Sequence, residues 1–167
     1  RAYFYFDIVK RFGDVPWYSE VISDKDWDKL QAPRTPRTVV LDSVMADINY
    51  AIDHLPEVKT VNEISRWTAL ALKSRICLFE GTFRKYHTEF KLPEYEAFLD
   101  NAIAASKELI ERSGYKLYNT GHPESDYLNL FASLNANEDE IILARAFSDE
   151  LQVYHNLNYY TMRSEEH

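Results

Sequence analysis

The sequence predicts an all-α fold of antiparallel helix pairs joined by loops. Two observations carry this prediction. Apolar residues recur at i, i+3, i+4 and i+7 in several separate windows, which is the helical period rather than the alternation of strands. Helix punctuation, in the form of Gly13, Pro56, Pro93 and Ser113-Gly114, falls between those windows. With 46% hydrophobic residues and only four glycines among 167, the chain carries enough apolar side chain to fold.

The first window, RAYFYFDIVKRF, is dense in aromatics. On a helical wheel Ala2, Phe4, Tyr5, Ile8, Val9 and Phe12 share an arc about 160° wide, which is the expected core face. Tyr3 falls opposite, with Asp7 and Lys10, and Phe6 lies at the border. Gly13 is placed to cap the helix, after which Asp14-Val15-Pro16 turns the chain and exposes Trp17 and Tyr18. Residues 19–38 form a polar connection of mixed charge with two prolines, and loops of that length are often functional.

The second helix is predicted to start with Thr35 or Thr38 as N-cap. Its stripe is Leu41, Val44, Met45, Ile48, Ala51, Ile52 and Leu55, and Pro56 stops it. The third runs from about Ser65 to Tyr86. Ala69, Leu72, Ile76, Phe79 and Phe83 form one stripe, while Leu70, Cys77 and Leu78 lie off it. A helix apolar on more than one side is packed between neighbours. Ala69, Ala71, Ser74 and Gly81 are small enough to let another helix approach. The fourth begins with Pro93 at its first position and presents Tyr95, Phe98, Leu99, Ala102, Ser106, Leu109 and Ile110. A short fifth, about Ser125 to Leu134, carries Tyr127, Leu130, Phe131 and Leu134. The run IILARAF after the acidic turn reads either as extended or as a buried helical turn. Alternate helices start well beyond the roughly 34-residue tetratricopeptide period, so any helical repeat here is divergent. Arg1 and Ala2 enter a helical pattern with no capping residue, and the sequence stops soon after an aromatic cluster. Residues 1–167 therefore read as one domain, an internal piece of a longer chain.

Charge and motifs narrow the function. Twenty-seven acidic against 19 basic residues give a net charge of −8. That disfavours sequence-independent nucleic-acid binding and docking to anionic lipid, both of which need a Lys/Arg surface. Cys77, the single cysteine, lies in the apolar run RICLF and reads as a buried small hydrophobe. His54, His87, His122, His155 and His167 include no pair at ligand spacing, so no metal site is expected. The alternation Asp24, Asp26, Asp28 invites a calcium-loop reading, but Lys29 and Thr35 stand where such a loop needs Gly and Glu. Glu138, Asp139 and Glu140 resemble a hydrolase's paired carboxylates, yet a turn between two apolar runs explains them. No nucleophile or phosphate-loop motif occurs, so no catalytic residue and no cofactor is assigned. What remains are aromatics outside the helical stripes: Trp17, Tyr18, Trp27, Tyr154 and Tyr159, with Tyr160, Asn156 and Asn158 nearby. Flat rings beside amides suit a neutral carbohydrate, the ring covering C–H surface and the amide meeting hydroxyls. The alternative is that these rings pack loops onto the helices.

Several stretches, in order, resemble the SusD/RagB family of outer-membrane lipoproteins from Bacteroidetes. They are RAYFYFDIVKRFGDVPWY, RTPRTVVLDSVMADINYAIDHLP, SRWTALALKSRICLFEGTFRKYH, AIAASKELIERSGYKLY and EIILARAFS. The resemblance implies a superhelix of divergent tetratricopeptide-like helix pairs decorated by long loops. It also implies a surface protein, lipid-anchored at the outer membrane, that captures oligosaccharides, or peptides in some branches. The captured nutrient would pass without chemistry to a TonB-dependent, SusC-like transporter. A lipid-attachment Cys is absent from this sequence, and the resemblance supplies scaffold residues rather than a ligand site. A helical-repeat scaffold for a protein partner is the second reading, with Tyr3 as a natural contact.

Overall fold

The computed structural model describes residues 1–148, 150 and 152–156. The fold is all-α as expected. Among these residues lie α1 (Ala2–Phe12), α2 (Trp27–Leu30), α3 (Arg37–His54), α4 (Arg66–Tyr86), a 3-10 turn (Thr88–Phe90), α5 (Tyr95–Arg112) and α6 (Pro123–Ala132). The only β-pairings among them are two isolated bridges, Val15 with Thr35 and Ser148 with Val153.

Cross-helix contacts fix the directions. Arg1 reaches Asp47 while Asp14 reaches Arg37, so α1 runs antiparallel to α3. Arg37 meets Glu80, and Arg66 donates to the Pro56 carbonyl, so α3 runs antiparallel to α4. Arg66 meets Glu108, Ser74 meets Ser106 at 2.6 Å, and Arg84 meets the Pro93 carbonyl, so α4 and α5 are antiparallel too. Helices stacked on their chain neighbours in this way make a helical-repeat arrangement. α4 is the central member. Its Trp67, Ala69, Leu70 and Ile76 join Val40, Leu41, Val44 and Ile48 of α3 in the main core, while Cys77 faces Phe98 and Ala102 of α5. This is the sandwiching that apolar residues on two sides of α4 require.

The helix starts show how local sequence and tertiary contact divide the work. Ser65 caps α4 with its side chain in a reciprocal capping box with Thr68. Neither Thr35 nor Thr38 caps α3. Pro36 occupies that position, and the Asp14 carboxylate, from the loop after α1, accepts the Arg37 N–H at 2.7 Å. Thr35 is instead held by its bridge to Val15. Pro93 precedes α5 rather than opening it. Glu94 is the N-cap, in the left-handed region at φ 64°, and the Pro93 carbonyl turns back to Arg84. Gly13 ends α1 at φ 70°, its N–H on the Val9 carbonyl, where a side chain would be strained.

Two faces differ from expectation. In α1 the buried residues are Ala2, Phe6 and Val9, whereas Phe4 and Phe12 are 69% and 61% exposed and Ile8 is also exposed. The helix carries two apolar rows four residues apart, and hydrophobicity does not choose between them. The choice falls to α3 and α4, where Phe6 meets Phe79 edge-on at 5.6 Å. Tyr3 is exposed as predicted. In α6 only Asp126 and Leu130 are buried, while Tyr127, Phe131 and the following Leu134 face outward. The IILARAF run is neither strand nor helix. It is irregular chain tied to the body by the Ala144 N–H on the Val61 carbonyl at 2.7 Å.

Candidate functional site

The loop between α1 and α3 is closed and well tied. Val15 and Thr35 exchange backbone hydrogen bonds at 3.3 and 3.1 Å, which brings its ends together. Inside it, the Trp17 N–H donates to the Thr35 hydroxyl, and the Tyr18 N–H to the Tyr5 hydroxyl at 2.9 Å. The Tyr18 hydroxyl donates to the Lys29 carbonyl at 2.7 Å, which ties α2 down. Arg1 closes the near side through Asp47 and the Ser19 carbonyl. The Asp47 carboxyl is held below the usual range by that Arg1 hydrogen bond. Asp26 is also internal to the loop, its carboxylate accepting the Ser23 N–H.

Trp17 and Tyr18 are therefore half-buried, not displayed as the sequence suggested. The Trp17 ring lies 4.2 Å from the Tyr5 ring, with the Arg1 guanidinium 4.9 Å from its centroid. These contacts are the loop-packing role set against sugar binding in the sequence. Trp27 on α2 is 67% exposed. Tyr154 is exposed beside Phe147 and His155 around a small hollow of about 290 Å³. Tyr159, with Tyr160 and Asn158, lies outside the described residues.

Two larger concavities flank α1. A groove of about 1000 Å³ runs beside its N-terminal end, walled by Ile48, Leu55, Leu72 and Leu143 and rimmed by Arg1, Asp47 and Arg75. A cleft of about 700 Å³ lies at its C-terminal end, with Phe12, Phe83 and Phe90 beside Lys10, Arg34 and Arg37. Trp17, Tyr18 and Trp27 line neither.

Sequence reasoning missed a buried ionic triad under the second cleft. The Glu80 carboxylate, fully buried, accepts from Arg37 through both Nε and Nη2 and from Arg84 Nε at 2.8 Å. Arg37 stacks its guanidinium on Phe83 at 3.8 Å, and Arg84 lies over Phe98 at 4.3 Å. The signal was present. Glu80 and Arg84 continue, in steps of four, the row that begins with buried Ile76.

Several of the remaining polar candidates have structural partners. Glu140 accepts the Tyr118 N–H at 2.7 Å, and Asp139 pairs with Lys59 and Lys116. His54 bonds the Tyr50 carbonyl, His87 meets Glu89 and His122 meets Glu124. Cys77 is buried, its thiol pushed up to about 11 by burial, with Sγ 3.6 Å from Met45 Sδ. No cluster of three metal-ligating side chains forms among the described residues.

An array of antiparallel helices with a tied-down insertion between the first pair is the helical-repeat class, and comparison with known proteins places it within that class. No family model matches the chain. A SusD-like protein of Formosa agariphila is 32% identical over 87 residues, covering 51% of this chain and 17% of that protein. A second SusD-like protein of the same organism is 25% identical over 155 residues, covering 91% of this chain and 25% of that one. Among solved structures, a SusD-like protein from Bacteroides fragilis superposes with a TM-score of 0.64 at 24% identity, over 92% of this chain and 27% of that one. Another, solved with a xylogluco-oligosaccharide, superposes at 0.66 with 22% identity, over 89% and 27%. In sequence and in fold the chain is similar to SusD-like proteins, and it spans about a quarter or less of the length of these relatives.

Proposed function

We propose that this chain is the helical part of a surface glycan-binding protein of the SusD kind. It would capture oligosaccharide nutrients at the outer membrane and pass them, without chemistry, to a SusC-like TonB-dependent transporter. The likeness to SusD-like relatives carries this reading, one of the structural neighbours having been solved with a xylogluco-oligosaccharide. Membrane attachment would come from a lipid anchor, as the family resemblance implies; none of the described helices is long and apolar enough to cross a membrane. Trp27 is the exposed ring best placed to stack on sugar, with Tyr154 second. Trp17 and Tyr18 would act behind it by fixing the loop, and Tyr159 stays a candidate from sequence alone.

Isothermal titration of the full-length protein against neutral oligosaccharides and peptides tests this. Oligosaccharide binding that weakens at least tenfold in Trp27→Ala is expected. Binding to none of the sugars, with no transporter co-purifying, would overturn the reading. The scaffold alternative draws on one observation, the outward row Phe4, Ile8 and Phe12 on α1. It predicts capture of a protein partner that Phe4→Ser abolishes.

A further inference from the structure

We infer that the cleft at the C-terminal end of α1 binds an acidic sugar unit, one bearing a carboxylate. The inference rests on the glycan-binding reading and narrows its substrate class to uronate-containing oligosaccharides. Three features meet in this one concavity.

Its charge is opposite to that of the chain. The net charge is −8 overall, yet Lys10, Arg34 and Arg37 line the cleft against one carboxylate, Asp14, whose Oδ1 already accepts the Arg37 N–H. A local positive field in a walled cleft raises the concentration of anions there.

The second feature is spare donor capacity on Arg37. The Arg37 side chain is 9% exposed, and its Nε and Nη2 are both bound to Glu80. That leaves Nη1 without a hydrogen-bond partner among the described residues, on a residue that lines the cleft. Below it the triad holds two guanidiniums against one carboxylate, a buried excess of one positive charge. Buried charge of this kind favours a partner of opposite sign. Arg34 adds exposed donors, since its one hydrogen bond, to the Phe12 carbonyl, is long at 3.4 Å. Lys10 contributes another cation, shared with Asp7 at 3.1 Å.

Third, the cleft offers flat apolar surface next to those donors. Phe83 and Phe90 are stacked at 5.6 Å with an interplanar angle of 27°, and Phe12 and Phe90 are exposed. At about 700 Å³ the space falls within the usual range for small-molecule sites. A ring with apolar C–H faces and a carboxylate edge matches all three features. A neutral sugar leaves the buried excess of positive charge uncompensated, and a bare anion leaves the rings unused.

The test compares uronate oligosaccharides with neutral oligosaccharides of equal length on the full-length protein, by isothermal titration at low and moderate salt. The inference expects the acidic series to bind at least tenfold tighter at low salt, with the margin shrinking as salt rises. Lys10→Ala/Arg34→Ala removes two exposed cations from the rim and is expected to erase that margin at low salt. Equal binding of both series, or a margin that survives the double variant, overturns the inference and leaves the broader reading standing. Oligoglutamate competing as well as the uronate series overturns the assignment to a sugar. If neither series binds, both this inference and the glycan reading fall.

Discussion

The inward faces of α4 and the outward side of α1 make an instructive pair. On α4, charged and small residues are inside: Glu80 toward Arg37 of α3, and Arg84 and Gly81 toward α5, with Ser74 half-buried against Ser106. On the outward side of α1, Phe4, Ile8 and Phe12 face solvent. A hydropathy profile alone would assign the two the other way round. The difference lies in what each face meets. Gly81 is inside because Leu99 is there, with room for no more than a hydrogen: a Cβ would sit 2.7 Å from Leu99 Cδ2 and 3.1 Å from the Tyr95 carbonyl. Glu80 is inside because two guanidiniums meet it. Phe4 is outside because no described element comes to cover it. Burial follows the partner, and polarity adapts by pairing.

The largest effects should come from the paired side of this comparison. Glu80→Ala strands Arg37 and Arg84 in the interior without their carboxylate, and loss of one partner from a buried ion pair typically costs about 3–5 kcal/mol. Urea denaturation would measure it; a loss under about 1 kcal/mol would show that water, not protein, satisfies the two guanidiniums. Phe6→Ala should cost a similar amount, about 3–5 kcal/mol, since Phe6 is 4% exposed and packs on Phe79. The same denaturation series checks it.

Gly81→Ala comes next. Overpacking costs about 1–3 kcal/mol, and Ala returns about 1 kcal/mol of helix propensity, so a net loss of about 0–2 kcal/mol is expected. Leu99→Ala supplies the control. If the clash is the cause, the double variant is less destabilised than the sum of the two singles. Additivity would mean that α5 moves aside freely.

How much of this was legible follows the same division. Stripes with one possible partner face were readable: Leu41, Val44, Ile48 and Ile52 of α3 are buried as predicted. So were start signals contained within a few residues, such as Ser65 with Thr68. Features that depend on a residue far along the chain were not. Asp14 caps α3 from 23 positions away, and Arg37 reaches Glu80 across 43. α1 failed for a different reason, because two apolar rows on one short helix give the wheel no way to rank them. Among the candidate aromatics, Trp27 stood out only by lying outside the helical stripes, and Trp17 and Tyr18, read the same way, are half-buried. The basic cleft was not readable, since Lys10, Arg34 and Arg37 converge only once α1 and α3 are packed.

A smaller effect separates α6 from the main body. α6 is tethered by Asp126, whose carboxylate accepts from the Thr120 hydroxyl at 2.5 Å and the Thr120 N–H at 3.0 Å. Those bonds, the hydroxyl first, hold its pKa below the ordinary value. A carboxyl lowered in the folded state contributes stability that is complete above the unfolded value, about 3.9, and is lost as pH falls through the folded one. Protection factors in α6, meaning exchange relative to its intrinsic rate at each pH, should therefore fall below about pH 4, and Asp126→Asn should flatten that response. An unchanged acid limb in the variant would assign it elsewhere, Asp47 beside Arg1 and Glu89 beside His87 being the other carboxyls lowered by a partner.

The smallest expected change is the sharpest test of the comparison itself. Phe4 and Phe6 are both phenylalanines on one helix, two positions apart, at 69% and 4% exposure. Phe4→Ser removes an aromatic ring that packs against little beyond Tyr3, 5.6 Å away. Surface changes of this kind usually stay within about 0.5 kcal/mol. Urea denaturation of Phe4→Ser beside Phe6→Ala should therefore give a difference of roughly tenfold in free energy from chemically similar truncations. An exposed aromatic row also promotes association, so light scattering should show Phe4→Ser less associated than the parent chain, with Phe6→Ala gaining nothing in that respect. A large loss of stability in Phe4→Ser would mean that something in the folded protein covers this face, and burial would then follow sequence hydrophobicity after all.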